Sequence, residues 1–289
     1  MIKHAEGKDG FKSRGKVDWN VSSFFPVNEN TVFVLGSFNL WREHGPFGVQ
    51  VPPRRELVSG NVTDYSVLTE NELFIVKGGR DLIFKSGDLT DHGELVFEST
   101  ERRTEIRNIQ AVSRDLVFAI YKGDLWSFEK NGGNWERTRV EQDVFQYQAL
   151  DSDTIFVRDA GGILWREEGP FGHQYPARRV KVDVTVADFH ALNANTVFIR
   201  GSDLKLWCWS GNGGSVQVDY NVSEFQPLDI NTVLVKGTDL KLWREHGPFG
   251  EAVPPTRTEV DWNVADFHGV SSRTVFVKGT DMILWCEHL

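Results

Sequence analysis

The sequence predicts an all-β fold, a seven-bladed β-propeller of four-stranded blades. A strand-like run recurs seven times, an aromatic follows each copy at a near-constant distance, and no segment sustains a 3.6-residue amphipathic pattern. The runs are TVFV (31–34), ELFIV (72–76), LVFAI (116–120), TIFV (154–157), TVFI (196–199), TVLV (232–235) and TVFV (274–277), starting 36 to 44 residues apart. The aromatics that follow are Trp41, Phe84, Trp126, Trp165, Trp207, Trp243 and Trp285.

Each unit reads as four short strands in order. The first resembles VADFHAL (186–192), the second TVFIRG (196–201), the third LKLWC (204–208) and the fourth PARRVKV (176–182). Turn residues separate them: N-x-N, D-x-N or D-S-D, then G-S/T-D, then Gly-rich or G-P-F-G segments. Units of about forty residues with four strands are the pattern of a propeller. The seventh unit stops at LWCEHL after its third strand, whereas GFKSRGKVD (10–18) matches fourth strands such as PPRRELV (52–58). The N-terminal segment is therefore expected to close the last blade. A single domain over 1–289 follows, with blades near 17–57, 58–103, 104–139, 140–181, 182–217, 218–259 and 260–289 plus 10–17.

The repeat, with its G-S/T-D turns ending at Asp203, Asp239 and Asp281 ahead of LW, resembles the lectin-type propellers of the tachylectin-2 and tectonin group. That resemblance covers the whole chain at the level of repeat style and implies sugar recognition. The GH…WD signature of WD40 repeats is absent.

Composition narrows the function classes. A net charge of −9 without a basic cluster argues against nucleic acid as partner. No run of about 18 apolar residues occurs, so no membrane insertion is expected, and the charged start MIKHAEGKDGFKSRGK lacks a signal-peptide core. The expected compartment is cytoplasmic. Cys208 and Cys286 occupy equivalent positions in different blades, too far apart to bridge, so both are expected to be free thiols. No H-E-x-x-H, P-loop or G-x-S-x-G occurs, and the Glu43–His44 and Glu245–His246 pairs repeat in separate blades rather than assembling one centre. No metal, cofactor or catalytic residue is expected.

Propeller geometry places the turns between second and third strands on one face, together with the blade-to-blade crossovers. That face collects VDWNV (17–21), VDYNV (218–222) and VDWNV (260–264). Asp18, Trp19 and Asn20, with Asp219, Tyr220, Asn221 and Asp261, Trp262, Asn263, offer a ring for the C–H face of a sugar and polar groups for its hydroxyls. The structural alternative is an aromatic packed on the neighbouring blade and a polar turn cap. Gln110, Gln148, His190, Gln226 and His268 fall on first strands, where they could ring a channel and hold a small polar ligand, or face water. The LW tryptophans read as inter-blade core, and G-P-F-G as a type I turn with a possible binding role for Phe47, Phe171 and Phe249.

The expected function is a multivalent carbohydrate-binding propeller without catalysis, its partner a glycan or small molecule. Two alternatives are an enzyme of lyase or cyclase type using one pocket, to which the divergent blade 2 with its GDLTDHGE segment points, and a protein-interaction scaffold.

Overall fold

The computed structural model describes residues 13–100, 105–171, 178–211 and 214–289, all strand, turn or loop. Its strands form seven four-stranded antiparallel sheets, the blades of a seven-bladed β-propeller. Blades 1 to 6 span 23–59, 62–98, 106–141, 144–183, 186–219 and 222–261. Blade 7 takes three strands from 264–288 and its fourth from the N-terminus, Ser13–Trp19, which pairs antiparallel with Ile283–His288. This closure is the one the truncated seventh repeat predicts. The closing strand runs on to Trp19, so Asp18 and Trp19 end blade 7 rather than begin blade 1. Residues 10–12 and 176–177 of the expected fourth strands lie outside the described residues.

By contact density the chain divides into two compact units, one formed by residues up to 34 with 43–55 and 198–289, the other by 35–42 and 56–197. Each has its own core. In the first, Val17, Val32, Val34, Phe276 and Leu284 pack together, as do Leu234, Leu242, Val260, Val264 and Val277. In the second, Phe74, Val76, Leu82, Val117 and Phe128 form one cluster, and Phe118, Ile120, Leu125, Ile155 and Val157 another. The second strands are apolar on both faces because each lies between neighbouring blades; Val32 to Val34 and Val275 to Val277 are buried without a gap.

A single backbone device joins successive blades. The N–H of the residue that opens each first strand, or in blade 1 of Val21 just ahead of it, donates to the carbonyl of the preceding blade's turn between second and third strands. The seven bonds are Val21 to Met282, Val62 to Phe38, Ile106 to Gly79, Val144 to Gly123, Val186 to Gly162, Val222 to Leu204 and Val264 to Leu240, at 2.8 to 3.2 Å. Immediately before six of the seven donors the chain passes through the left-handed region: Asn20, Asn61, Asp143, Thr185, Asn221 and Asn263 have φ between 53° and 59°. Asn and Asp tolerate that region best, which explains their prevalence there.

The nine-residue run LWREHGPFG, at 40–48 and 242–250 with LWREEGPFG at 164–172, is a set of connectors. Leu40, Leu164 and Leu242 are fully buried. The tryptophans are half-buried: Trp126 packs against the cluster of Phe74, Leu82 and Phe128 between blades 2 and 3, and Trp165 and Trp243 carry the Arg179 and Arg257 guanidinium groups 4.3 Å above their rings. Strand alternation gives the core side to leucine and the other side to tryptophan. In blade 2 the register sets Ile83, not Phe84, at the tryptophan position, since Ile75 pairs with Ile83 as Val157 pairs with Trp165.

The arginine of the motif clamps the next blade's first turn. Arg42 donates to the Glu70 carbonyl (2.6 Å) and Asn71 Oδ1 (2.7 Å), Arg166 to the Ala194 carbonyl (2.8 Å) and Arg244 to that of Ser272. The phenylalanine points back. Phe47 meets Phe276 of blade 7 edge-on at 5.5 Å, Phe171 meets Phe118 at 6.1 Å and Phe249 meets Phe198 at 5.8 Å. The Gly–Pro peptides of all three loops are cis. Close backbone contact seats the first of them: a Cβ on Gly15 would stand 2.9 Å from Phe47, and the Gly48 N–H donates to the Lys16 carbonyl at 3.1 Å.

Candidate functional site

The three Asp-aromatic-Asn elements lie at equivalent crossovers, all in the first unit. Asp18, Asp219 and Asp261 are buried, and each accepts the backbone N–H of the next residue at 2.7 to 2.8 Å. Asn20, Asn221 and Asn263 take the left-handed backbone. Both polar positions thus shape the turn. The rings between them stay in solvent: Trp19 is 43% exposed, Tyr220 48% and Trp262 53%.

Around Trp262 the surface forms a cleft of about 180 Å³, bounded by Asp261, Asn263, the 279–281 turn, Arg14 and Trp285. Asp281 Oδ1 caps that turn through the Ile283 N–H at 3.1 Å. Arg14 stands 4.2 Å over the Trp285 ring, so this tryptophan is a wall of the cleft with one face already covered. The Tyr220 crossover repeats the design, with Arg257 over Trp243 and Asp239 capping the adjacent turn through the Lys241 N–H.

Beside each of these crossovers lies a pair of carboxyl groups that the sequence reading missed. Glu43, Glu245 and Glu287 are completely buried on third strands. Burial pushes each up to about 9, with Asp18, Asp219 and Asp261 of the preceding fourth strand adding to the rise by charge and hydrogen bonding, and arginine opposing it. Glu167 is raised by burial and by Glu141 in the same way. The oxygens of these glutamates have no hydrogen-bond donor if all the groups are ionised. A protonated glutamic acid resolves this by donating to its partner. Arg14 completes one set, 3.0 Å from Asp261 and 3.2 Å from Glu287, and Arg55 and Arg257 stand 3.6 to 4.0 Å from theirs. The signal was present in the sequence: Glu43, Glu167, Glu245 and Glu287 follow their partners by 25 or 26 residues in every case.

The first-strand polar residues are engaged with backbone. Gln110 exchanges two hydrogen bonds with the Ala149 N–H and carbonyl, Gln148 does so with Ala191, and Gln226 with Gly269, at 2.7 to 3.3 Å. Each side-chain amide imitates one residue of a β-ladder toward the next blade. Histidine stands where that is impossible: one repeat after His190 and His268 the matching residues are Pro227 and Pro26, which have no N–H. His190 is lowered by burial. His268 packs edge-on to Phe25 at 5.0 Å.

Cys208 and Cys286 are both free thiols. Among the described residues no three His, Cys, Asp or Glu side chains gather as a metal site. Among the described residues no helix is long and apolar enough to cross a membrane.

No family model matches the chain, and no curated protein matches it. Solved structures share the fold. A structure described as YCF48 bound to D1 peptide superposes with a TM-score of 0.67 at 12% identity, covering 96% of this chain and 94% of that one. Kluyveromyces lactis Hsv2p gives 0.64 at 9% identity over 89% and 88% of the two chains. The WD40 β-propeller domain of Doa1 gives 0.63 at 9% identity over 96% of each. At these identities the likeness establishes the propeller and nothing finer.

Proposed function

We propose that this chain is a non-catalytic binding propeller whose repeated crossover clefts take carbohydrate. One observation carries the reading: Trp19, Tyr220 and Trp262 are each held exposed beside a buried aspartate by an asparagine in the left-handed region. An exposed ring costs solvation, and repetition at equivalent crossovers is what a multivalent surface needs. The neighbouring Asp239 and Asp281 supply acceptors for hydroxyl groups. The first-strand glutamines that a channel pocket would use are spent on backbone, which disfavours the pocket-enzyme alternative.

A glycan array on the intact chain, followed by calorimetry with the best glycan, tests the reading. Trp262→Ala, Tyr220→Ala and Trp19→Ala should each reduce the number of occupied sites. Absence of binding to every glycan, or unchanged binding in all three variants, rejects it.

A second reading, a protein-interaction scaffold, is favoured by the propeller neighbours, one of which was solved with a peptide. Exposed aromatic residues are also the usual anchors of a protein interface. A peptide array read alongside the glycan array separates the two: binding of peptides that Trp262→Ala abolishes, with no glycan bound, selects the scaffold.

A further inference from the structure

Blade 2 carries the same cleft with its chemistry reversed. Aligning the strands of blades 2 and 7 sets Lys85 where Glu287 stands, Lys77 where Gly279 stands, and Gly93 where Arg14 stands. On the preceding fourth strand, Ser59 and Gly60 replace Asp261 and Trp262. The aromatic ring is therefore missing, and a cavity of about 230 Å³ opens, lined by Leu57, Ser59, Gly60, Lys77, Lys85 and the 90–92 segment.

The base of this cavity is a fixed cation. Lys85 is buried, and its Nζ donates to the carbonyls of Val58 (2.9 Å), Leu89 (2.6 Å) and Asp91 (2.5 Å). Three acceptors for three N–H bonds require the ammonium form. Leu89, buried on the 87–93 loop, anchors the segment that supplies two of those carbonyls. Lys77 lies close enough for like-charge repulsion to oppose the charge on Lys85. The other titratable groups on the wall are the Asp91 carboxylate and the His92 ring. In the cleft of blade 7 the positions of Ser59, Lys85 and Gly93 hold a carboxyl pair and one arginine; here they hold a single lysine, and Lys77 adds a second cation from the position of Gly279.

We propose that the blade 2 cavity is a separate site for a small anionic group, a carboxylate or a phosphate, with Lys77 as the direct contact and Lys85 as the buried charge behind it. The site stands independently of the carbohydrate reading. A buried cation held by carbonyls rather than paired directly with a carboxylate draws an anion more strongly than a solvated one does, a pull that the neighbouring Asp91 and Asp88 carboxylates partly offset. His92 on the loop adds a ring N–H at the mouth, while Thr90 gives both its N–H and its hydroxyl to Asp88.

The test titrates the intact chain with glucuronate, glucose and inorganic phosphate, following thermal shift and backbone amide shifts of residues 59–60 and 90–92. Saturable binding of glucuronate identifies an organic acid as the source and binding of phosphate alone a phosphate; glucose should bind at neither the same residues nor the same affinity. Lys77→Met should weaken the anion by about tenfold or more, the loss of one charge-assisted contact. Gly60→Trp restores the ring of the other clefts, fills the cavity and should abolish binding. That backbone is not left-handed, and a Cβ there meets only the Asn39 side chain at 3.3 Å, so the variant remains foldable. Trp262→Ala should change nothing at these residues. No saturable effect of either anion, equal effects of glucose and glucuronate, or full binding in both Lys77→Met and Gly60→Trp overturns the proposal.

Discussion

Glu287 and Asp261 form a carboxyl pair across the boundary between the last two blades, and burial together with the Asp261 charge pushes Glu287 up to about 9. The same arrangement joins Glu245 to Asp219 and Glu43 to Asp18. Because these glutamates rise from 4.5 to about 9 on folding, the folded chain keeps protons that the unfolded chain releases. Their contribution to stability is complete below about pH 4.5, declines as the pH rises, and levels off above about pH 9. Glutamine retains a donor without a titrating proton. The double variant Glu245→Gln, Glu287→Gln should unfold like the wild type at pH 4.5 and be more stable at pH 9, by on the order of 1–3 kcal/mol per site. Denaturant titrations at the two pH values check this; a variant that loses stability with pH as steeply as the wild type contradicts it.

The phenylalanine of G-P-F-G should matter to stability more than its position in a loop suggests. Phe249→Ala removes the ring that meets Phe198 edge-on, and Phe47→Ala the ring that meets Phe276. Each should cost about 1–3 kcal/mol, less than a fully buried phenylalanine because the ring is half-exposed. Equilibrium unfolding of the two variants measures it, and a cost below about 0.5 kcal/mol, the range of ordinary surface substitutions, would return the motif to a simple turn.

Gln148 and Gln226 each supply two hydrogen bonds to the next blade. Replacing either with leucine strands a backbone N–H and a carbonyl, at about 1–3 kcal/mol. His268→Gln should bring no compensating gain, because Pro26 offers no N–H to the new amide. Comparing the three variants by thermal melting distinguishes a specific ladder from a general preference for polar residues.

Asn263 serves the backbone of its turn, at φ 55°. Asn263→Gly should fold with stability within about 0.5 kcal/mol of the wild type, whereas Asn263→Val should lose about 1–2 kcal/mol, since a β-branched residue is poorly accommodated there. If the valine variant is as stable as the glycine one, the residue is kept for its amide rather than its backbone.

The fold was legible because the repeats announce strand, turn and blade in one period, and the missing fourth strand of the last unit pointed to the N-terminus. The crossover aromatics were legible too, since an exposed Trp262 stands out beside Val260 and Val264, both fully buried. The glutamates below them were not. In LWREH a glutamate between arginine and histidine reads as a solvated face, and only the aspartate of the preceding blade makes it a buried acid. The tryptophan of the same motif was read only in part for a related reason: alternation shows that Leu242 and Trp243 face opposite sides, but not which side an arginine such as Arg257 will cover. Side chains whose partners lie in another repeat need the three-dimensional register before their chemistry can be read.

The closing strand also sets how the molecule would respond to force. Ser13 pairs with His288 at one end of that strand and Trp19 with Ile283 at the other. Tension applied through the N- and C-terminal ends therefore arrives at the Ser13–His288 pair and loads the ladder one rung at a time. Strands peeled in this way separate at lower load than strands slid lengthwise, whose rungs must break together. The last blade is thus the weak seam under pull from its ends, even though Val17 and Leu284 at its heart are wholly buried.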